Sequence, residues 1–245
     1  MDYQQIIEAR FKELLALVKP YKDLFPQKSK IRLELPIKDG TGRYIYDLKE
    51  MLSNNISTFN LNRNDVVVPN AISFFIQLSH LDANGTKISK LYPYAPKNDG
   101  VNPSVHPVGF TTDAIDNLYN GHLQWLVGTT EALAAYPMED FLRIPRQQGA
   151  FVLDSQDAAV NEGVESEWSI EKALQLIYPK YIIAGTQDHK MTVNFDAAGL
   201  TFPLSDNNYT AELVLYMDCF LIKNGTQLFN SSGEGPFKEA SGAWS

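Results

Sequence analysis

Residues 28–48 read KSKIRLELPIKDGTGRYIYDL, and the periodicity of this stretch decides the fold class. Ile31, Leu33 and Leu35 alternate with Arg32 and Glu34, a twofold period that puts apolar side chains on one face of an extended segment and charges on the other. Lys38-Asp39-Gly40-Thr41-Gly42 supplies turn residues, so Arg43 to Tyr46 is read as the returning strand of a hairpin.

Downstream, the same reading gives strands at Asp65 to Val68, Ile72 to Leu78, His122 to Val127, Phe141 to Ile144, Ala150 to Leu153, Tyr181 to Ala184, Met191 to Phe195 and Glu212 to Ile222. Many short strands separated by Pro, Gly, Asn and Asp predict a mainly β, antiparallel sandwich or barrel, not a parallel sheet with crossover helices. One or two short loop helices interrupt it, at Thr112 to Leu118 and Ile170 to Leu176. Between Tyr92 and Pro107 four prolines predict a long excursion over the surface. Asp82-Ala83-Asn84-Gly85 reads as a hairpin turn, since no glutamate follows where a calcium loop needs one.

Upstream, Asp2 and Gln5 have capping-box spacing, and Ile7, Phe11, Leu14 and Val18 fall on one helical stripe. A helix is predicted from Asp2 to about Tyr21, ended by Pro20 and Pro26. Its stripe has two possible destinations, the chain's own domain or another subunit, because a helix of this length does not hold alone in water. The chain thus divides into a leading helical arm (1–26), a β-sandwich domain (27–228) and a tail (229–245) whose polar, glycine-rich composition carries Phe237 and Trp244. Aromatics in such a tail read as anchors for a neighbour or as a fold-back onto the same domain.

Composition narrows the function classes. Of the 245 residues, 44% are hydrophobic and 20% charged, an ordinary globular balance. The formal net charge of −8 lacks the surplus of Lys and Arg that gathers phosphates, so strong nucleic-acid binding is not expected. Residues 1–12 mix charged and apolar positions unlike a signal peptide, and no stretch reaches the roughly 18 apolar residues of a membrane span. Synthesis in a cytoplasm without membrane partners is the expectation, and Asn84-Gly85-Thr86 and Asn224-Gly225-Thr226 then read as turns.

No catalytic constellation is found. His80, His106, His122 and His189 lack metal-ligand spacing. Cys219 lies in the most apolar stretch of the chain, where a thiol belongs to the core rather than to nucleophilic chemistry. Gly40-Thr41-Gly42 is only a fragment of a phosphate-binding loop, and no cofactor is expected. Asp154, Asp157, Glu162, Glu165, Glu167 and Glu171 concentrate carboxylates at irregular intervals, which suits a solvated acidic loop first, a cation site at Asp154 and Asp157 second and acid–base chemistry last. Tyr92, Tyr94, Tyr136 and Trp168 could form a glycan-binding platform, whereas Trp125 alternates with Leu123 and Val127 and is assigned to the core.

Five segments together, KSKIRLELPIKDGTGRYIYDL, NDVVVPNAISFFIQL (64–78), GFTTDAIDNLYNGHLQWLV (109–127), YPMEDFLRIPRQQGAFVL (136–153) and ELVLYMDCFLIKNGT (212–226), resemble capsid and other virion structural proteins of bacteriophages infecting the Bacteroidetes group. The resemblance implies a jelly-roll-like sandwich repeated in a symmetric shell, located in the virion, with copies of the same chain and other virion proteins as partners. It brings no catalytic residue with it. Ile7, Phe11, Leu14, Val18, Phe237 and Trp244 are then the expected contacts to neighbouring copies. One departure stands out: coat proteins often carry a basic arm, whereas residues 1–30 hold six Lys/Arg against four Asp/Glu, which fits an outer or decorating position as well as a genome-lining one.

Overall fold

In the computed structural model, which describes residues 3–21, 23–53, 61–81, 84–92, 119–141, 173–178, 180–181, 183–185, 188–196, 209–228 and 243–244, the two runs flanking Gly40 become β1 (Pro26–Pro36) and β2 (Arg43–Asp47). The expected hairpin between them does not form. β1 pairs with β11 (Tyr209–Ile222) and β2 with β10 (His189–Asn194), so the turn at 38–42 carries the chain from one sheet to the other. Each strand has an apolar face to hide: Ile31 and Leu33 on β1 and Tyr44 and Tyr46 on β2 are all buried, and they belong to one core between the sheets. Tyr46 ties the two layers directly, its hydroxyl donating to the Leu213 carbonyl at 2.7 Å.

The remaining strands are β3 (Val66–Leu81), β4 (Lys87–Tyr92), β5 (His122–Val127), β6 (Thr130–Pro137), β7 (Gln175–Leu176), β8 (Lys180–Tyr181), β9 (Ile183–Ala184) and β12 (Ala243–Trp244). One sheet runs β1-β11-β3-β4, with β7 and β9 also on β3; the other runs β2-β10-β5-β6; β12 pairs with β8. Every pairing is antiparallel, and the partners nest: β1 with β11, β2 with β10, β3 with β7 and β9, β5 with β6. The described strands therefore form nested antiparallel pairs laid into two sheets around one core, a β-sandwich. β4 is an addition, returned along the end of β3 by the turn that contains Gly85, whose φ of 78° suits glycine.

Two elements expected from sequence are described only in part. Phe141 closes a 3-10 turn (Met138–Phe141), with 142–144 of the expected strand outside the described residues; of the expected helix at 170–176, Ala173 is helical, Gln175–Leu176 form β7, and 170–172 lie outside the described residues. The expected helix at 112–118 and strand at 150–153 lie outside the described residues. A short helix α2 (Leu48–Ser53) follows β2, its first turn capped by the Asp47 carboxylate, which accepts from the Glu50 amide.

The two expected strands at 65–68 and 72–78 are one strand with a bulge. Opposite β11, Asp218 faces Ala71 and Cys219 faces Pro69, so Asn70 is the extra residue. Pro69 cannot donate to a ladder, and a bulge is the place where a central strand tolerates it. The bulge also resets which side chains point inward: Val67 faces the core before it, and Ile72, Phe74 and Ile76 do so after it. In compensation the outer face gains Val66 and Val68, which need a cover of their own.

That cover is α1 (Tyr3–Val18). Ile7, Leu14 and Val18 are buried with Leu24 and Leu228 against Val66, Val68, Phe220 and Ile222, and the Phe11 ring meets Phe220 at 5.2 Å between centroids. The stripe expected as a contact to another subunit is thus occupied within the chain, because the apolar outer face next to the bulge lies within its reach. Tyr3 pins the start of the helix, its hydroxyl donating to the Asp218 carboxylate at 2.6 Å. Leu14 is 0% exposed, so Leu14→Ala should lower the free energy of unfolding by about 2–5 kcal/mol in urea titrations; a helix held only by a neighbouring subunit would leave the isolated chain's value unchanged.

Candidate functional site

The groups with chemical potential are mostly spent on structure. Burial pushes the Cys219 thiol up, with Asp218 adding to the effect, so the sulfur is a protonated core atom; it donates to the Ser29 carbonyl at 3.4 Å. Asp65, 2% exposed, accepts from the Asn62 amides, the Asn224 amide and Lys223 Nζ, the last at 3.2 Å. This clamp joins the loop before β3 to the turn after β11, where Asn224 has a φ of 54°. Among the described residues no group of three His, Cys, Asp or Glu could hold a metal ion. Asp154 and Asp157, the candidate cation ligands, lie outside the described residues, as does Phe237. Trp244 is paired through its backbone opposite Lys180, so the end of the tail docks on its own subunit.

The arrangement with most to offer a partner is built on the bulge. Arg10 occupies the apolar stripe of α1 and is 3% exposed, a position a guanidinium tolerates only when its donors are used. Nη1 donates to the Asn70 carbonyl at 2.8 Å and Nη2 to the Ile177 carbonyl at 3.0 Å, and the Ile177 amide donates back to Asn70 at 2.9 Å. The guanidinium lies 4.5 Å from the centroid of the Tyr178 ring. That ring is 62% exposed and is therefore held in place at the surface by a buried cation.

Beside it opens a cleft of about 310 Å³, its mouth included, lined by Ile72, Leu133, Tyr136, Phe141, Gln175 and Tyr178, among others. Most of that space is open to solvent: the part a water-sized molecule can occupy is about 40 Å³, far short of the roughly 300–1,000 Å³ of small-molecule sites. No lining residue is charged. Gln175 supplies polarity at the rim, its amide donating to the Asp140 carbonyl at 2.6 Å. Of the aromatics expected to form a platform, Tyr136 lines the cleft, and Tyr94 and Trp168 lie outside the described residues; Trp125, assigned to the core, is fully buried against Tyr181 at 4.8 Å.

Gln175 escaped the sequence reading because it falls in the stretch 170–176 that looked helical, and Tyr178 because it follows that stretch with no pattern of its own. A usable signal was present at Arg10, a charge set at helical spacing between Ile7 and Leu14, since a cation inside an apolar stripe implies buried acceptors. Beyond Tyr178, the described apolar side chains most exposed are Phe25 at 69%, Leu81 at 49%, Ile45 at 44% and Leu15 at 37%.

The two halves of the Arg10 arrangement separate by mutation. Tyr178→Ala should cost about 0.5–1 kcal/mol, the worth of an exposed cation–π pair, whereas Arg10→Ala should cost that and about 1–3 kcal/mol more by leaving the buried Ile177 carbonyl without a donor; urea unfolding of both variants measures the difference. No family model matches the chain, and neither a curated protein nor a solved structure matches it.

Proposed function

We propose that the chain is a structural subunit of a bacteriophage particle, a capsid or coat component that works by assembling with copies of itself and with other virion proteins. The observation that carries this reading is the nested strand pairing from β1–β11 inward to β5–β6, the architecture that viral capsid domains use, as lectin domains and cupins also do. The sequence resemblance over five segments supports it. The net charge of −8 favours a place in the particle away from direct contact with the genome. With α1 covered in its own subunit, contacts between copies fall to side chains the subunit leaves exposed, Phe25 and Tyr178 foremost.

A second reading, a binding module for glycan or another host-surface ligand, is favoured by one feature, the exposed Tyr178 ring fixed by Arg10 beside an uncharged cleft. Mass photometry and electron microscopy of the purified chain separate the two. Rings, shells or sheets that weaken on Phe25→Asp, with circular dichroism unchanged, are the expected result. A strict monomer at high concentration that forms no particle, and that is retained on a glycan array, would replace the first reading with the second.

A further inference from the structure

His189 opens β10 with a side chain that is 0% exposed, and neither ring nitrogen has a hydrogen-bond partner among the described residues. Its neighbourhood is a corner of the sandwich. Across the sheet it stands opposite Val127 of β5, and α2 packs on β10 from the side of β2. The charged groups at this end of these elements are Asp47 on β2, Lys49 and Glu50 on α2, and Asp188 and Lys190 on either side of His189; Val127 brings none, and Arg43 of β2 and His122 of β5 stand at the far end of β10, opposite Asn194. The carboxylates are already engaged, Asp188 with Lys49 at 2.8 Å and Asp47 with Lys190 at 3.4 Å. Among the described residues, a proton placed on the imidazole meets no hydrogen-bond acceptor.

We propose that the corner formed by β2, α2 and the start of β10 is an acid-operated latch, in which protonation of His189 releases α2 and the β2 edge strand while the rest of the sandwich holds. The element that moves is the one least anchored. α2 has six residues and β2 is a five-residue strand at the edge of its sheet, whereas β11 is paired along both edges over most of its length. The two ion pairs close the corner from outside, and both are largely solvent-facing, so they resist opening only weakly.

Burial pushes the imidazole down to about 4, Asp188 and Asp47 pulling modestly the other way. An opened corner restores the ordinary value near 6.5, so the closed form binds the proton less readily than the open form. Closure is therefore independent of pH above 6.5 and weakens as pH falls from 6.5 toward 4. The hydrogen bond and charge of Lys49 hold the Asp188 carboxyl below its usual range, so that ion pair stays charged through this window and titrates later. Of the two, the imidazole responds first.

Hydrogen exchange of the intact chain between pH 7.5 and pH 4, corrected for intrinsic rates, reads the latch directly. Peptides covering 43–53 and 188–194 should lose protection on the order of 100-fold by pH 4, the linkage of a group displaced from 6.5 to about 4, while those covering 209–222 keep theirs. His189→Leu should abolish this pH dependence, and His189→Gln serves if the leucine variant folds poorly. The His189 proton resonance, identified by its loss in either variant, should titrate near 4. Equal acid sensitivity with and without the histidine, a His189 titration near 6.5, or loss of protection in all strands together would each overturn the proposal; the wild-type measurements decide it even if both variants fail to fold.

Discussion

The extra residue at Asn70 is the constraint on which the rest of the molecule turns. A central strand that carries a proline must give up a ladder hydrogen bond, and the chain absorbs this by bulging one residue out of register with β11. The bulge reverses the inward-facing phase of β3, which lets one strand serve two cores: Ile72, Phe74 and Ile76 fill the space between the sheets, and Val66 and Val68 form a second apolar floor on the outer face. That floor recruits α1, and α1 brings Arg10 back to the carbonyl the bulge exposed. Proline, phase change, helix and buried cation form one closed circuit. Each part satisfies a need created by the one before it.

The same circuit explains why the fold was only partly legible beforehand. Alternation at Ile31, Leu33 and Leu35 and the long apolar run before Ile222 were readable because each strand advertises its own buried face. Pro69-Asn70 reads as a break, since local rules cannot know that a strand on either side will hold it in line. The destination of the α1 stripe was open because apolar spacing is the same whether a helix packs on its own sheet or on a neighbour's. Two-residue strands such as β7, β8 and β9 lie below any detectable period, and they exist only because β3 and β12 offer them partners. The cleft aromatics were hidden for the same reason: Tyr136 was visible as an aromatic, but nothing local placed it near Tyr178.

Edges receive separate treatment. β1 lies at one margin of its sheet and presents Lys28, Lys30 and Arg32 at alternate positions, with a proline at each end of the strand. Repeated like charge and proline discourage indiscriminate strand addition. An assembling subunit needs such protection more than a solitary one, because the concentrations that favour ordered contacts favour disordered stacking as well. Phe25, immediately before the guarded edge, is by contrast left open. The surface thus distinguishes side-chain contact, which it permits, from backbone pairing, which it resists.

The nested pairing carries a consequence for biosynthesis. Among the described residues β1 pairs with β11 alone, nearly the whole chain later, so a ribosome releases the first strand long before the strand that completes it. Contacts this remote close slowly, since the entropy of the intervening loop is lost before any hydrogen bond is gained. Until β11 emerges, β1 has no strand beside it, and α1 lacks Phe220 and Ile222 from its floor. The nascent chain must therefore stay soluble on its charged edge residues or on a chaperone, and maturation is timed by the arrival of the penultimate segment rather than by its beginning.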